Sequence, residues 1–247
     1  MKSAYDLDKI KFATDRPTFE KAVDIYESGG VNNFTDTGYG FEAKVRGSGG
    51  NFYEVFVSAK HYNEGDCNCY LGKNDTLCKH MVALAIYAVM RGKKLDKEDK
   101  EIISAPVCSG KLGELKKEEL ASIKKDISSA MKYIKAYNGP SRIWFQYQNS
   151  LSEGCNRLAK IISDLPVGEQ TAGLLVDTLL RLDKKLCGGG VDDSDGTVGG
   201  FIEEAVNMLE EYAKLDPNCA RAFEKLKGRE TCFGWEEPLM KLLDSKK

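Results

Sequence analysis

Three cysteines and a histidine fall within residues 67–80, spaced as C-x-C, a gap of eight, then C-x-H. Thiolate sulfur and imidazole nitrogen are donors that zinc takes in a tetrahedron, at about 2.3 Å and about 2.0–2.1 Å. In extended chain, residues i and i+2 project to one side, so Cys67 and Cys69 reach the same ion from a strand end. Gly72, Asn74 and Asp75 are turn formers that bring the chain back, which places Cys78 and His80 at the threshold of the next helix. There the free backbone N–H groups and the positive end of the helix dipole favour ionised thiolates. Three thiolates and one neutral imidazole around a dication leave one net negative charge and no open position for substrate. The neighbours Glu64, Asp66, Asn68 and Lys73 are polar, which is not the pattern of cysteines filling a core. Ligand type favours zinc over iron, so the expected cofactor is one structural Zn2+.

Other residue types that could do chemistry lack a setting for it. His61 is the only other histidine and is expected at the surface, where the second strand ends. A Cys–His nucleophile would need it beside Cys108, Cys155, Cys187, Cys219 or Cys232, none of which lies in a motif that activates a thiol. Most of those five are expected to pack as small hydrophobes. Gly47-Ser48-Gly49-Gly50 joins two strand-like runs, with no Lys-Ser/Thr after it, and is read as a hairpin turn and not a phosphate cradle. In "VDDSDGTVGGFIEE", placing Gly196 at the sixth position of a calcium loop puts Val191 first and Ile202 twelfth, where carboxylates are required. An acidic inter-helix loop suffices.

The elements that must position the cluster follow from periodicity. Residues 17–28 carry apolar side chains at helical spacing, opened by Pro17 and closed by Gly29-Gly30. The period then changes to two: Phe41, Ala43 and Val45 alternate with Glu42, Lys44 and Arg46, and Tyr53, Val55 and Val57 continue the pattern. "HMVALAIYAVMRGKK" is an apolar helix ending in basic residues and glycine. The stretch 95–113, rich in charge and then in proline and glycine, reads as a linker. Beyond it, residues 116–137, 142–165, 169–186, 200–215, 219–227 and 235–243 read as helices in an antiparallel array without a fixed repeat. The fold class is therefore α+β: a small ββα zinc module on the N-terminal side, domain 1–104, followed by an all-helical domain, 105–247.

The chain of 247 residues has a formal net charge of −2, so bulk nucleic-acid binding is not written into its composition. The N-terminus has no apolar signal region and no run is long enough to span a bilayer, from which a cytoplasmic protein without membrane contact is expected. A reducing compartment in turn favours metal over disulfides.

At residues 35–92 the chain resembles the SWIM-type zinc finger. The resemblance rests on Cys67-x-Cys69, the gap of eight and Cys78-x-His80, with the hairpin "AKVRGSGGNFYEVFVS" before and "CKHMVALAIY" running into a helix. It implies a ββα zinc fold, found in helicase-like ATPases, Mutator-type transposases, recombination mediators and ubiquitin ligases. The family is read as a DNA- or protein-interaction module. The helical half resembles no family that can be named. With a closed metal site and no acid–base pair or nucleophile, the expected function is a non-catalytic adaptor that contacts protein partners. The alternative is a nucleic-acid-binding protein. Residues 41–95 hold eight basic side chains against five acidic ones, and Lys44, Arg46, Arg91, Lys93 and Lys94 are the candidate phosphate contacts. A surplus of that size supports only weak, salt-sensitive DNA binding. An enzyme with its site in the helical half is the third reading.

Overall fold

The alternation along residues 40–58 resolves into strands β2 (Gly40–Arg46) and β3 (Phe52–Ser58), which pair antiparallel across the Gly47–Gly50 turn. The computed structural model describes residues 2–140 and 144–244. Two further strands flank the expected hairpin, β1 (Val31–Asp36) outside β2 and β4 (Gly65–Cys67) outside β3, giving a four-stranded antiparallel sheet ordered β1-β2-β3-β4. Two helices precede the sheet, α1 (Leu7–Ala13) and α2 (Arg16–Glu27), and α3 (Lys79–Met90) and α4 (Lys97–Lys100) follow it. The ββα reading is thus corrected: the hairpin and helix are the middle of a larger unit.

One face of the sheet, with Phe41, Ala43, Val45, Val55 and Val57 buried, packs against α3. Helix α3 is also covered by α1 and α2, which explains its nearly unbroken apolar sequence from Met81 to Ala88. On α2, Phe19, Ala22, Val23 and Tyr26 form the buried stripe, while Asp15 caps its start by accepting from the Thr18 N–H. Lys11 of α1 is buried to 1% exposure, and its ammonium donates to the Glu98 carbonyl.

The chain forms two compact units, one ending at Ile102 and the other beginning at Ile103. That boundary falls inside residues 95–113, the expected linker, whose two parts each carry structure of their own. Asp96 and Asp99 close a capping box on α4, and Lys100 pairs with Glu27 at 2.7 Å, which fixes the first part to the sheet unit. The second part belongs to the helical unit: the Ser109 hydroxyl donates to the Leu165 carbonyl, and Leu112 bridges to Val167.

The helical unit contains α5 (Lys117–Ala130), α6 (Trp144–Ser163), α7 (Glu169–Cys187), α8 (Thr197–Leu215) and α9 (Glu237–Asp244). Expected Arg142 and Ile143 at the start of α6 lie outside the described residues. Helix α5 stops seven residues early, and residues 217–226 wind as a 3-10 segment instead of an α-helix. Pro217 opens that segment and Asp216 caps it through the Asn218 N–H. Leu151, Leu158, Leu175, Leu182, Ile202, Leu209, Tyr212 and Phe223 are among the side chains of its core.

Candidate metal centre

Cys67 is the last residue of β4, where its Cα pairs with that of Val55 on β3. The residue between the first two cysteines does the anchoring: the Glu54 N–H donates to the Asn68 side-chain oxygen and the Asn68 N–H donates to the Glu54 carbonyl. With Asn68 clamped outward on β3, Cys67 and Cys69 turn inward together, as the i, i+2 geometry of extended chain requires. The loop then tightens into a 3-10 turn at Gly72–Asn74, and Asp75 closes it in the left-handed conformation at φ 51°. Glycine is required at 72. A Cβ there would lie 2.1 Å from the Cys67 carbonyl oxygen, and the Gly72 N–H instead comes close enough to donate to the Cys69 sulfur at 3.4 Å.

Cys78 is the N-cap of α3 and His80 lies in its first turn. All four residues are buried, with exposures of 4%, 6%, 1% and 5% in chain order. One donor atom from each lies within 4.8 Å of the others. Zinc bonds of about 2.3 and 2.05 Å at a tetrahedral angle separate sulfur and nitrogen ligands by about 3.6 Å. The His80 Nδ1 stands 3.8 Å from the Cys67 sulfur and 3.7 Å from the Cys78 sulfur, so the donor set fits a tetrahedral ion. The Nδ1 edge faces the sulfurs, while Nε2 is buried without a hydrogen-bond partner among the described residues. The Tyr53 ring, with its centroid 4.5 Å from that of His80, covers the imidazole.

The electrostatics agree with thiolate chemistry. Contact with the Cys67 thiol, then with His80 and the Met81 N–H at the start of α3, pulls Cys78 down to about 4. The same contact and burial push Cys67 far above the ordinary thiol range. Crowded sulfurs without an ion share protons unequally; a dication would relieve the repulsion that remains. His61 is exposed on the turn before β4, as expected, and stays apart from the cluster.

The candidate phosphate contacts are not brought onto one face. Lys44 points away from the core, opposite Glu54 on β3, in a groove of about 460 Å3 also lined by Glu42 and Asp66. Arg46, exposed further along that face, donates from Nη2 to the Ser28 carbonyl and hydroxyl at 3.2 and 2.9 Å. Arg91 belongs to the other side of the sheet, its guanidinium 4.7 Å over Phe34 and 5.3 Å over Phe41. Lys93 and Lys94 follow it, exposed.

The remaining cysteines divide. Cys155 and Cys219 are buried and Cys108 half-buried, in keeping with packing. Cys187 and Cys232 correct the expectation: a disulfide joins them across 45 residues, with Cα atoms 6.0 Å apart. Beside it, the Asp183 carboxylate accepts from the Cys232 N–H and the Trp235 indole N–H. Sulfurs joined to each other are not available as thiolate ligands, so the trio with Asp183 is a structural clasp. The acidic loop 191–196 is capping machinery: Asp193 accepts from the N–H groups of Val198 and Gly199, and Asp195 from that of Thr197.

No protein-family model matches the chain, and neither a curated protein nor a solved structure matches it. Among the described residues, no helix is long and apolar enough to cross a membrane.

Proposed function

We propose that the sheet unit is a SWIM-type zinc module with one structural ion on Cys67, Cys69, Cys78 and His80. On this reading the protein is a non-catalytic adaptor that contacts protein partners. The observation that carries it is the closed donor set, four buried protein ligands within 4.8 Å of one another. Such a set fills the tetrahedron, so the ion has no position left to activate water or polarise a carbonyl. Its work is to fix the loop 68–77, whose exposed Tyr70 and Leu71 then present a defined surface.

The charge arrangement favours protein over nucleic acid as the partner. Lys44 shares its face with Glu42, Glu54 and Asp66, and acidic neighbours repel a phosphate backbone. Elemental analysis tests the metal: one zinc per chain is expected, and full retention of zinc by Cys67→Ala plus Cys78→Ala overturns the ligand set. A shift assay with duplex and single-stranded DNA at two salt concentrations tests the partner class. Weak binding that vanishes at the higher salt is expected, and nanomolar affinity that survives it transfers the function to nucleic acid.

A further inference from the structure

Three cavities differ in how their charges are disposed. The groove on the outer face of the sheet carries more acid than base. In the helical unit, a cleft of about 520 Å3 has its cations neutralised by neighbours, Lys225 by Asp177 at 2.7 Å and Arg221 by Glu169 at 3.4 Å. The third, of about 240 Å3, lies between α2, the Gly47–Gly50 turn and the start of α3, and is lined by Lys21, Arg46 and Lys79 together with Ser28 and Ser48. Asp24 is the one acid in its lining, and among the described residues no ion pair joins it to any of the three cations.

Two of the three cationic groups are held in place by neutral partners. Arg46 donates to the Ser28 carbonyl and hydroxyl, and Lys79 donates to the Ser48 hydroxyl. These bonds orient the charges without cancelling them. Elsewhere in the same unit cations beside acids do pair, as Arg16 with Glu20 and Lys100 with Glu27. Three uncompensated cations around one small cavity repel one another, and an anion placed among them removes that cost while gaining charge-assisted hydrogen bonds from the planar guanidinium.

We propose that this cavity is an oxyanion site for a single phosphate monoester, carried as a phosphorylated side chain on the protein partner. This names the partner's chemistry and rests on the adaptor reading above. A nucleic-acid strand fits less well, because the sheet face that Arg46 shares with Lys44 also carries Glu42, Glu54 and Asp66, which repel further phosphates. Lys79 stands between the ligands Cys78 and His80, so the site is assembled by the same backbone that closes the metal centre.

The test is an amide-shift titration of the full, zinc-loaded chain with inorganic phosphate and with O-phosphoserine, in a buffer free of other oxyanions. Saturable shifts centred on Ser28, Gly47, Ser48 and Lys79 are expected. Arg46→Glu should weaken half-saturation at least tenfold, and Lys21→Glu severalfold, whereas Lys93→Glu leaves it unchanged. Shifts that never saturate, or a half-saturation unmoved in both Arg46→Glu and Lys21→Glu, overturn the site. A short oligonucleotide that moves the same amides at lower concentration than phosphoserine, and is weakened by Lys44→Glu, overturns the monoester assignment. Zinc is measured on the same samples. Zinc-replete protein that ignores phosphate overturns the anion site and leaves the adaptor reading standing; protein that binds phosphate but purifies without zinc supports the site and removes the metal basis of that reading.

Discussion

The sheet unit holds a cluster of three cysteines and a histidine that could take a metal ion, and the helical unit holds a disulfide, and the two are set in opposite surroundings. In the sheet unit all four ligands come from residues 67–80, and between Cys69 and Cys78 only Gly72 and Leu77 are even half-buried. Between the cysteines only Leu77 packs on the apolar core of the unit, so the loop adds little to that core itself. In the helical unit the disulfide ties residues 45 apart, from the end of α7 to the segment before α9, around a core that already buries Leu158, Leu182, Tyr212 and Phe223. On the proposed zinc reading the first would create a structure, whereas the second braces one. A short span that adds little apolar surface would need the free energy of coordination, whereas a large core gains only the entropy that a cross-link removes from the unfolded chain.

The most forceful way to break this contrast is to remove the metal. Structural zinc sites of this kind are worth about 10–16 kcal/mol at neutral pH, so chelation, or Cys67→Ala with Cys78→Ala, should open residues 60–95 to protease. The helical unit from Glu114 onward should stay resistant, as limited proteolysis read by mass spectrometry will report. Joint melting of the two would mean that they are not independent.

Next in size is a cut into the helical core. Phe223 is fully buried on the 3-10 segment, and Phe223→Ala should lower the denaturation free energy of that unit by about 3–5 kcal/mol while zinc content stays at one per chain. Loss of zinc in this variant would tie the two cores together. Smaller again is the clasp: Cys232→Ser, or a dithiol reductant, should cost the helical unit about 2–4 kcal/mol in chemical denaturation without exposing residues 60–95. An unchanged midpoint under reductant would show that the link contributes nothing in solution.

How much of this could be read beforehand follows the same division. The clustering of Cys67, Cys69, Cys78 and His80 was legible because the four donors are local and their spacing is itself the signal. Strands β2 and β3 were legible because one face is buried, so apolar residues alternate without a break. Strand β1 was hidden by the irregularity between Asn32 and Thr35, with Asn33 at φ 55°, which puts the inward residues Val31 and Phe34 three apart instead of two. Helix α1 was hidden by its length and by Lys11, a charge buried through a carbonyl 87 residues away. The disulfide left no trace, since two cysteines 45 residues apart have no characteristic spacing. The company Lys44 keeps depends on register, which sets Glu54 opposite it and Asp66 one strand beyond. The cationic cavity is equally non-local, because Lys21, Arg46 and Lys79 meet only once α2, the turn and α3 are assembled.

The smallest expected effect separates the two units by pH. Burial, reinforced by the charges of Asp193 and Asp195, holds the Cys155 thiol well above its ordinary value of 9.0. As pH rises past 9 the unfolded chain releases this proton while the folded helical unit keeps it. The unfolded state then binds fewer protons, and folding stability declines by about 1.4 kcal/mol per pH unit from this one group. Tyr212, also raised by burial, adds to the loss only above its ordinary 10.0. In the sheet unit the corresponding group is Tyr5, raised by burial from the same starting value, and on the proposed zinc reading the four ligands would not titrate in this range. Between pH 9 and 10 the helical unit should therefore lose about 1 kcal/mol while the sheet unit holds, and at acid pH the order reverses as protons displace zinc. Urea melts followed by amide signals from each unit at pH 8, 9 and 10 decide it. Cys155→Ala should flatten the alkaline slope of the helical unit, and a slope that persists in that variant assigns the effect to another group.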